Sequence, residues 1–131
     1  MSPNTPDTAT DDEASRIGVL VPDPTLGPKL VELVRAAGHE PILVEDLDRL
    51  HDADREAPLG AIVTDLTTDG EDRARDLAAG RPPGVPVLAC FAHAEPDVRS
   101  VALEEGLEVV VPRSRLLRET DVLLREFLAL P

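Results

Sequence analysis

The sequence predicts an α/β fold, in which five short parallel strands form a doubly wound sheet with helices on both faces. Short apolar runs alternate along the chain with segments whose apolar residues recur at helical spacing. The runs are apolar on both faces, which is typical of a parallel sheet buried between helices. A chain of 131 residues has room for one such domain. Right-handed crossovers place helices on both faces, and five such units suggest the doubly wound fold with strand order 2-1-3-4-5.

The first half of the chain contains a tail, two strands and two helices. Residues 1–15 are polar and acidic without apolar periodicity, which predicts a disordered acidic tail, and the domain is expected to occupy residues 16–131. The expected elements are a strand at 16–21, a helix at 26–38, a strand at 41–45 and a helix at 46–58. The first helix should bury Leu30 and Val34 and end at Gly38, and the second should be anchored by Leu47 and Leu50.

The second half repeats the same alternation three times. The expected elements are a strand at 60–65, a helix at 71–80, a strand at 85–92, a helix at 96–106, a strand at 107–112 and a helix at 116–130. Val98, Val101 and Ala102 fall on one side of the fourth helix. The last segment, "LLRETDVLLREFLAL", has the apolar spacing of a single amphipathic helix.

Composition excludes several classes of function. With 26 acidic and 13 basic residues the net charge is -13, which repels nucleic acid and anionic membrane surfaces. A single cysteine, Cys90, leaves no intrachain disulfide and no cysteine-rich metal site, so we expect a reducing, cytoplasmic location. Neither a glycine-rich phosphate loop nor a nucleophile elbow is present in the sequence, so we expect a protein that is not an enzyme.

Two aspartates end strands that the predicted order makes neighbours. Asp65 lies in "AIVTDLTTDG" after the third strand, and Asp23 follows the first. The carboxyl ends of parallel strands meet at one edge of a sheet, so both carboxylates should face a common crevice. From the residues alone, Asp65 serves either a chemical role or only the turn that follows it, and Asp23 serves either the same site or the N-cap of the first helix.

Four stretches carry a resemblance to a known family: "VLVPD", "VTDLTTDG", "PVLACFAH" and "EEGLEVVVPRS". In the order of the elements and in the residues that end the strands, they resemble the receiver domain of response regulators over residues 16–130. That domain has a flavodoxin-like fold. The resemblance implies that the aspartate ending the third strand accepts a phosphoryl group and binds Mg²⁺ together with an acidic pair after the first strand. It makes Asp65 the phosphoacceptor candidate and makes Asp23 and Asp65 the metal candidates.

Three positions depart from the pattern of that family. Pro22 stands where the first acid of the pair is expected, Phe91 where a switch Ser or Thr is expected, and Arg113 where a lysine is expected. A count with a gap would place Pro112 at the lysine position instead. Proline removes a metal ligand, phenylalanine donates no hydrogen bond, and arginine replaces a point charge with a planar fork. The chain therefore resembles an atypical, degenerate receiver.

Arginines concentrate near the C-terminus of this acidic chain. The candidate residues for a partner surface are Arg99, Arg113, Arg115 and Arg118. Positive charge is unfavourable at the start of a helix, where "PRSRLLR" stands, by up to about 1 kcal/mol. Either acids of the same helix, such as Glu119 and Asp121, or an acidic or phosphorylated partner would offset that cost.

These observations lead to three functional hypotheses. The first is a stand-alone signalling module that binds a protein partner through the fourth helix, fifth strand and fifth helix, residues 98–130, a face through which the resemblance implies homodimers or output contacts. The second is a working phospho-acceptor of a two-component phosphorelay, which takes a phosphoryl group on Asp65 from a histidine kinase with Mg²⁺ bound, and at most hydrolyses that aspartyl phosphate. The third is binding of a small anion in the same crevice.

Overall fold

The structure, a computed structural model, describes residues 14–92 and 96–129. Its strands are β1 (Arg16–Leu20), β2 (Glu40–Val44), β3 (Ala61–Asp65), β4 (Val87–Phe91) and β5 (Val109–Pro112). Its helices are α1 (Leu26–Ala36), α2 (Leu47–Glu56), α3 (Gly70–Gly80), α4 (Pro96–Glu104), α5 (Arg113–Arg118) and α6 (Thr120–Leu128). No helix within this part of the chain is long and apolar enough to cross a membrane. Most of the predicted tail, residues 1–13, lies outside the described residues.

The five strands form one parallel sheet in the order β2-β1-β3-β4-β5, which confirms the predicted topology. Leu20 of β1 lies opposite Thr64 of β3, and the Thr64 hydroxyl donates a hydrogen bond of 2.8 Å to the Leu20 carbonyl. Asp65 lies opposite Cys90 of β4, and the next amide, Leu66 N, donates to the Cys90 carbonyl at 2.7 Å. These contacts bring the carboxyl ends of β1, β3 and β4 to one edge of the sheet.

Apolar side chains pack on both faces of the sheet, as continuously apolar strands require. One cluster joins the sheet to α1, α5 and α6 and includes Leu30, Val34, Leu116 and Leu124, each fully buried. The other cluster joins the sheet to α2, α3 and α4 and includes Leu50, Leu77 and Ala102. The predicted anchors of the first, second and fourth helices are therefore largely confirmed. Gly38, with φ of 93°, follows the end of α1 as predicted, in a conformation that glycine adopts without steric cost.

The C-terminal segment differs from the prediction of one helix over residues 116–130. The helical conformation begins earlier, at Arg113, and is interrupted at Glu119, which has φ of -126° and ψ of 32°. The hydroxyl of the buried Thr120 donates to the carbonyl of Leu116, a side-chain bond that competes with regular helix geometry and bends helices. The apolar spacing of the segment gave no sign of this interruption, because the residues on both sides of it face the same core cluster. They are Leu116 before it and Leu123 and Leu124 after it.

Gly70 allows α3 and α4 to pack closely at the end of the loop that follows Asp65. A Cβ placed on Gly70 would lie 2.8 Å and 3.0 Å from the two γ-methyl groups of Val98. Valine has a stiff χ1, so this contact is relieved only by moving one helix. We expect Gly70→Ala to lower the free energy of unfolding by about 1 to 3 kcal/mol, measured by denaturant titration and far-UV circular dichroism.

Asp76→Ala is the matched control for this substitution, because it places the same side chain at an exposed position of the same helix. Its effect should stay within about 0.5 kcal/mol. Equal stability of Gly70→Ala and wild type would show that α3 and α4 are not held at this distance.

Candidate functional site

Asp65 ends β3 as a buried carboxylate whose two oxygens both accept hydrogen bonds from the chain. The residue is 4% exposed. Its Oδ1 accepts from the Thr67 hydroxyl at 2.7 Å and from the Cys90 thiol at 3.4 Å. Its Oδ2 accepts from Arg113 Nη2 at 2.8 Å. A buried carboxylate needs such partners, because an unpaired charge would be strongly destabilising away from water.

Arg113 begins α5 and extends its guanidinium to the end of β3. The same Nη2 that contacts Asp65 also donates to the Thr67 hydroxyl at 2.9 Å, so that Arg113, Thr67 and Asp65 form a closed triangle of hydrogen bonds. The Arg113 side chain is 33% exposed and that of Asp65 is 6% exposed. The pair is therefore partly shielded from solvent, and the carboxylate offsets the unfavourable cation at the start of a helix.

Asp23 follows β1 as an exposed residue and organises the start of α1. Its Oδ1 accepts the backbone N–H groups of Thr25 at 2.7 Å and Leu26 at 3.0 Å. These two bonds, Leu26 first, lower the pKa of the carboxyl, and the nearby charge of Arg113 lowers it further. The N-cap position of α1 is Thr25 and not Asp23, so the N-cap expectation is wrong in its position, although the Asp23 carboxylate does accept the first backbone N–H groups at the helix start.

The three departing positions each have a different setting. Pro22 is exposed beside Asp23 and supplies no carboxylate. Phe91 is 4% exposed and packs in the core cluster beneath α2, α3 and α4. The strand register places Cys90, and not Phe91, opposite Asp65. Arg113 reaches Asp65, so the ungapped count that selected it, rather than Pro112, matches the geometry.

Cys90 and Thr67 contact Asp65, and neither role was predicted. Burial raises the pKa of the Cys90 thiol far above its ordinary value, and the Asp65 charge raises it further, so the thiol stays protonated and donates. A register count from Asp65 across to β4 would have identified Cys90, and a hydroxyl two residues after an aspartate is a known local donor.

The other candidate arginines lie on exposed parts of the C-terminal half. Arg99 is exposed on α4. Arg115 Nε lies 3.5 Å from Glu119 Oε1, and Arg118 Nη2 lies 3.2 Å from Glu119 Oε2. Asp121 instead accepts the backbone N–H of Val122 at 2.9 Å. A single acid of the same segment, Glu119, therefore pairs with both Arg115 and Arg118, which is one of the two explanations that the sequence left open.

The donor set at the crevice does not fit a divalent cation as the side chains stand. Mg²⁺ takes six oxygen ligands in near-octahedral geometry and draws on carboxylates that are free to coordinate. Asp65 is already engaged by Arg113, Thr67 and Cys90, and one oxygen of Asp23 is engaged by two backbone amides. Within residues 14–92 and 96–129, no group of three or more His, Cys, Asp or Glu side chains could hold a metal ion.

The chain has the fold of response-regulator receiver domains. The receiver domain of sensor histidine kinase PA1611 from Pseudomonas aeruginosa PAO1, with a magnesium ion coordinated in its active-site cleft, has a TM-score of 0.70 at 20% identity over 89% of this chain and 99% of that one. The non-phosphorylated HemR receiver domain from Leptospira biflexa has a TM-score of 0.69 at 22% identity over 89% and 96%.

The sequence is also similar to a bacterial transcriptional regulatory protein. It is 28% identical over 123 residues to the transcriptional regulatory protein BaeR from Escherichia coli O6:H1 (strain CFT073), which corresponds to 88% of this chain and 50% of that protein. The chain thus spans about half the length of this relative. No protein-family model matches the sequence.

The hydrogen bonds of Asp23 predict a pH dependence of stability. Its pKa is lowered on folding, so the carboxylate contributes stability that is fully present above the unfolded value of 3.8 and is lost as the pH falls through the lower folded value. We expect Asp23→Ala to be less stable than wild type at pH 7, with the difference shrinking as the pH is lowered below 4, in urea titrations at a series of pH values.

Glu32→Ala removes an exposed carboxylate from α1 without removing a hydrogen bond to the backbone at the helix start, and it serves as the control. A stability difference between wild type and Asp23→Ala that did not change with pH would contradict the role of the ionised carboxylate.

Proposed function

We propose that this chain is a receiver-like signalling module that acts by binding a protein partner and does not depend on phosphoryl transfer. The observation that carries this proposal is the state of Asp65, whose two carboxylate oxygens both accept hydrogen bonds from side chains of the same chain. An attacking carboxylate must approach a phosphoryl group that is itself negative, and an engaged carboxylate must first give up its partners.

The surrounding positions support the same proposal. Phe91 is buried in the core and has no hydroxyl to donate to a phosphoryl oxygen. Pro22 supplies no second carboxylate beside Asp23, so the charge available to hold a cation is reduced. The module is proposed to be cytoplasmic, since the free thiol of Cys90 suits a reducing compartment.

The proposed partner surface is the face formed by α4, β5, α5 and α6. Leu103 of α4 is 39% exposed, one of two large apolar side chains that are exposed among residues 14–92 and 96–129, and β5 is an edge strand of the sheet. Residues 98–130 carry five arginines and six acidic residues, so nearly all of the net charge of -13 lies elsewhere in the chain. A nearly neutral face with an exposed apolar side chain suits either a second copy of the chain or an output protein.

A working phospho-acceptor is the second candidate, favoured by the position of Asp65 at the end of β3 in a fold shared with receiver domains. In this alternative a histidine kinase transfers its phosphoryl group to Asp65 with Mg²⁺ bound, and Arg113 leaves the carboxylate. Anion binding in the crevice is the third candidate. It has less support, because the Arg113 cation is already paired.

Acetyl phosphate in the presence of Mg²⁺ distinguishes the first two candidates. We expect intact-mass spectrometry of the treated wild-type chain to show no phosphoryl adduct, because Asp65 is engaged and lacks a hydroxyl partner on β4. A receiver domain known to accept a phosphoryl group from acetyl phosphate is treated in parallel as the positive control. An adduct on the wild-type chain that is missing from Asp65→Asn would reject the phosphorylation-independent role and support the phospho-acceptor.

The partner surface is tested by charge substitution at Leu103. If the face forms a homodimer, sedimentation with interference optics, suited to a chain without Trp or Tyr, should detect a dimer that Leu103→Glu weakens by about tenfold or more. Leu43→Glu is the matched control, because Leu43 is 45% exposed on β2 at the opposite edge of the sheet. Equal effects of the two substitutions would contradict the assignment of the face.

A further inference from the structure

The guanidinium of Arg113 places a positive charge in contact with the buried carboxylate of Asp65. Its Nη2 lies 2.8 Å from Asp65 Oδ2 at the end of β3. Its charge also lowers the pKa of Asp23, which follows the neighbouring strand β1. Arg113 therefore contacts Asp65 directly and makes only a small contribution at Asp23, whose carboxyl is held mainly by the backbone N–H groups of Leu26 and Thr25. A bound divalent ion would need the same carboxylate and would be repelled by a fixed positive charge at contact distance.

Arg113 is held in this position even though one of its donors has no partner. Nε is buried and makes no hydrogen bond to any described residue, which is costly for a guanidinium nitrogen. The compensating interactions are the two bonds from Nη2, to Asp65 and to the Thr67 hydroxyl. The Asp65 carboxylate thus sets the orientation of the Arg113 side chain, even though this orientation leaves the Nε donor without a hydrogen bond.

We infer that Arg113 is a built-in counter-ion of Asp65, which competes with divalent cations for the carboxylate and keeps the affinity of the crevice for them low. Thr67 is part of this arrangement, because its hydroxyl donates to Asp65 Oδ1 while it accepts from Arg113. This inference rests on the proposed phosphorylation-independent role and specifies how the chain maintains it: the negative charge of the site is neutralised internally, so no metal ion is required to stabilise it.

Binding of Mn²⁺, measured by the loss of its free-ion signal in electron paramagnetic resonance, tests the inference directly. We expect Arg113→Gln to bind one Mn²⁺ about tenfold or more tightly than wild type, because the substitution removes a positive charge adjacent to the carboxylate. The gain should disappear in the double variant Arg113→Gln/Asp65→Asn. Arg115→Gln, which removes a charge of the same helix that pairs with Glu119, should bind as wild type does.

Equal Mn²⁺ affinity of wild type and Arg113→Gln, whether tight or absent, would overturn the inference. Retention of the folded state is checked by circular dichroism. Should Arg113→Gln not fold, wild type and Asp65→Asn are compared by the hydrogen exchange of the Arg113 Nε–H in ¹⁵N spectra. We expect slow exchange in wild type, where Nε is buried, and faster exchange in Asp65→Asn. Exchange of Arg113 as fast as that of the exposed Arg115 in wild type would also overturn the inference.

The outcome is distinguishable from failure of the proposed function. Tight Mn²⁺ binding to wild type without a phosphoryl adduct would contradict the counter-ion role of Arg113 and leave the phosphorylation-independent role of the chain in place. A phosphoryl adduct, together with weak Mn²⁺ binding in wild type and tighter binding in Arg113→Gln, would contradict the phosphorylation-independent role. The counter-ion role of Arg113 would then stand.

Discussion

The ion pair between Arg113 and Asp65 is the interaction on which the properties of the crevice depend. It places one charge of each sign at the edge of the sheet where three strands end, and it engages the carboxylate that ends β3. Removing one partner of a shielded pair costs more than the pair itself contributes, because the remaining charge loses its compensation. The pair therefore restricts the substitutions that the site tolerates as well as the ligands that it admits.

The fold was largely predictable from the sequence because its strands are buried on both faces. Continuous apolar runs such as those that became β3 and β4 cannot be stable at a solvent-facing position, so they require helices on both sides. The right-handed crossover rule then left few orders for five such strands. The break at Glu119 was not predictable, because apolar periodicity is unchanged across it and the buried Thr120 hydroxyl, which bonds to the Leu116 carbonyl beside the break, gives no periodic signal.

The candidate site was predictable in position and not in composition. Strand ends and topology were sufficient to place Asp65 at the crevice. Which residue of β4 contacts it depends on register, and a difference of one residue exchanges Cys90 for Phe91 on opposite faces of the strand. The reach of Arg113 was also not determined by local sequence, because it depends on the residue at which α5 begins and on a long side chain with many rotamers.

The short helix α5 mechanically connects the crevice to the outer surface. Its first residue holds Asp65, its exposed Arg115 and Arg118 lie within the proposed partner face, and the irregular geometry at Glu119 separates it from α6. A movement of α5 by about 1 Å would stretch the 2.8 Å hydrogen bond between Arg113 and Asp65. A partner that shifts α5 from its outer surface would therefore weaken the contacts of the Asp65 carboxylate. By thermodynamic linkage, a change at Asp65 would alter partner binding at α5 by the same coupling free energy.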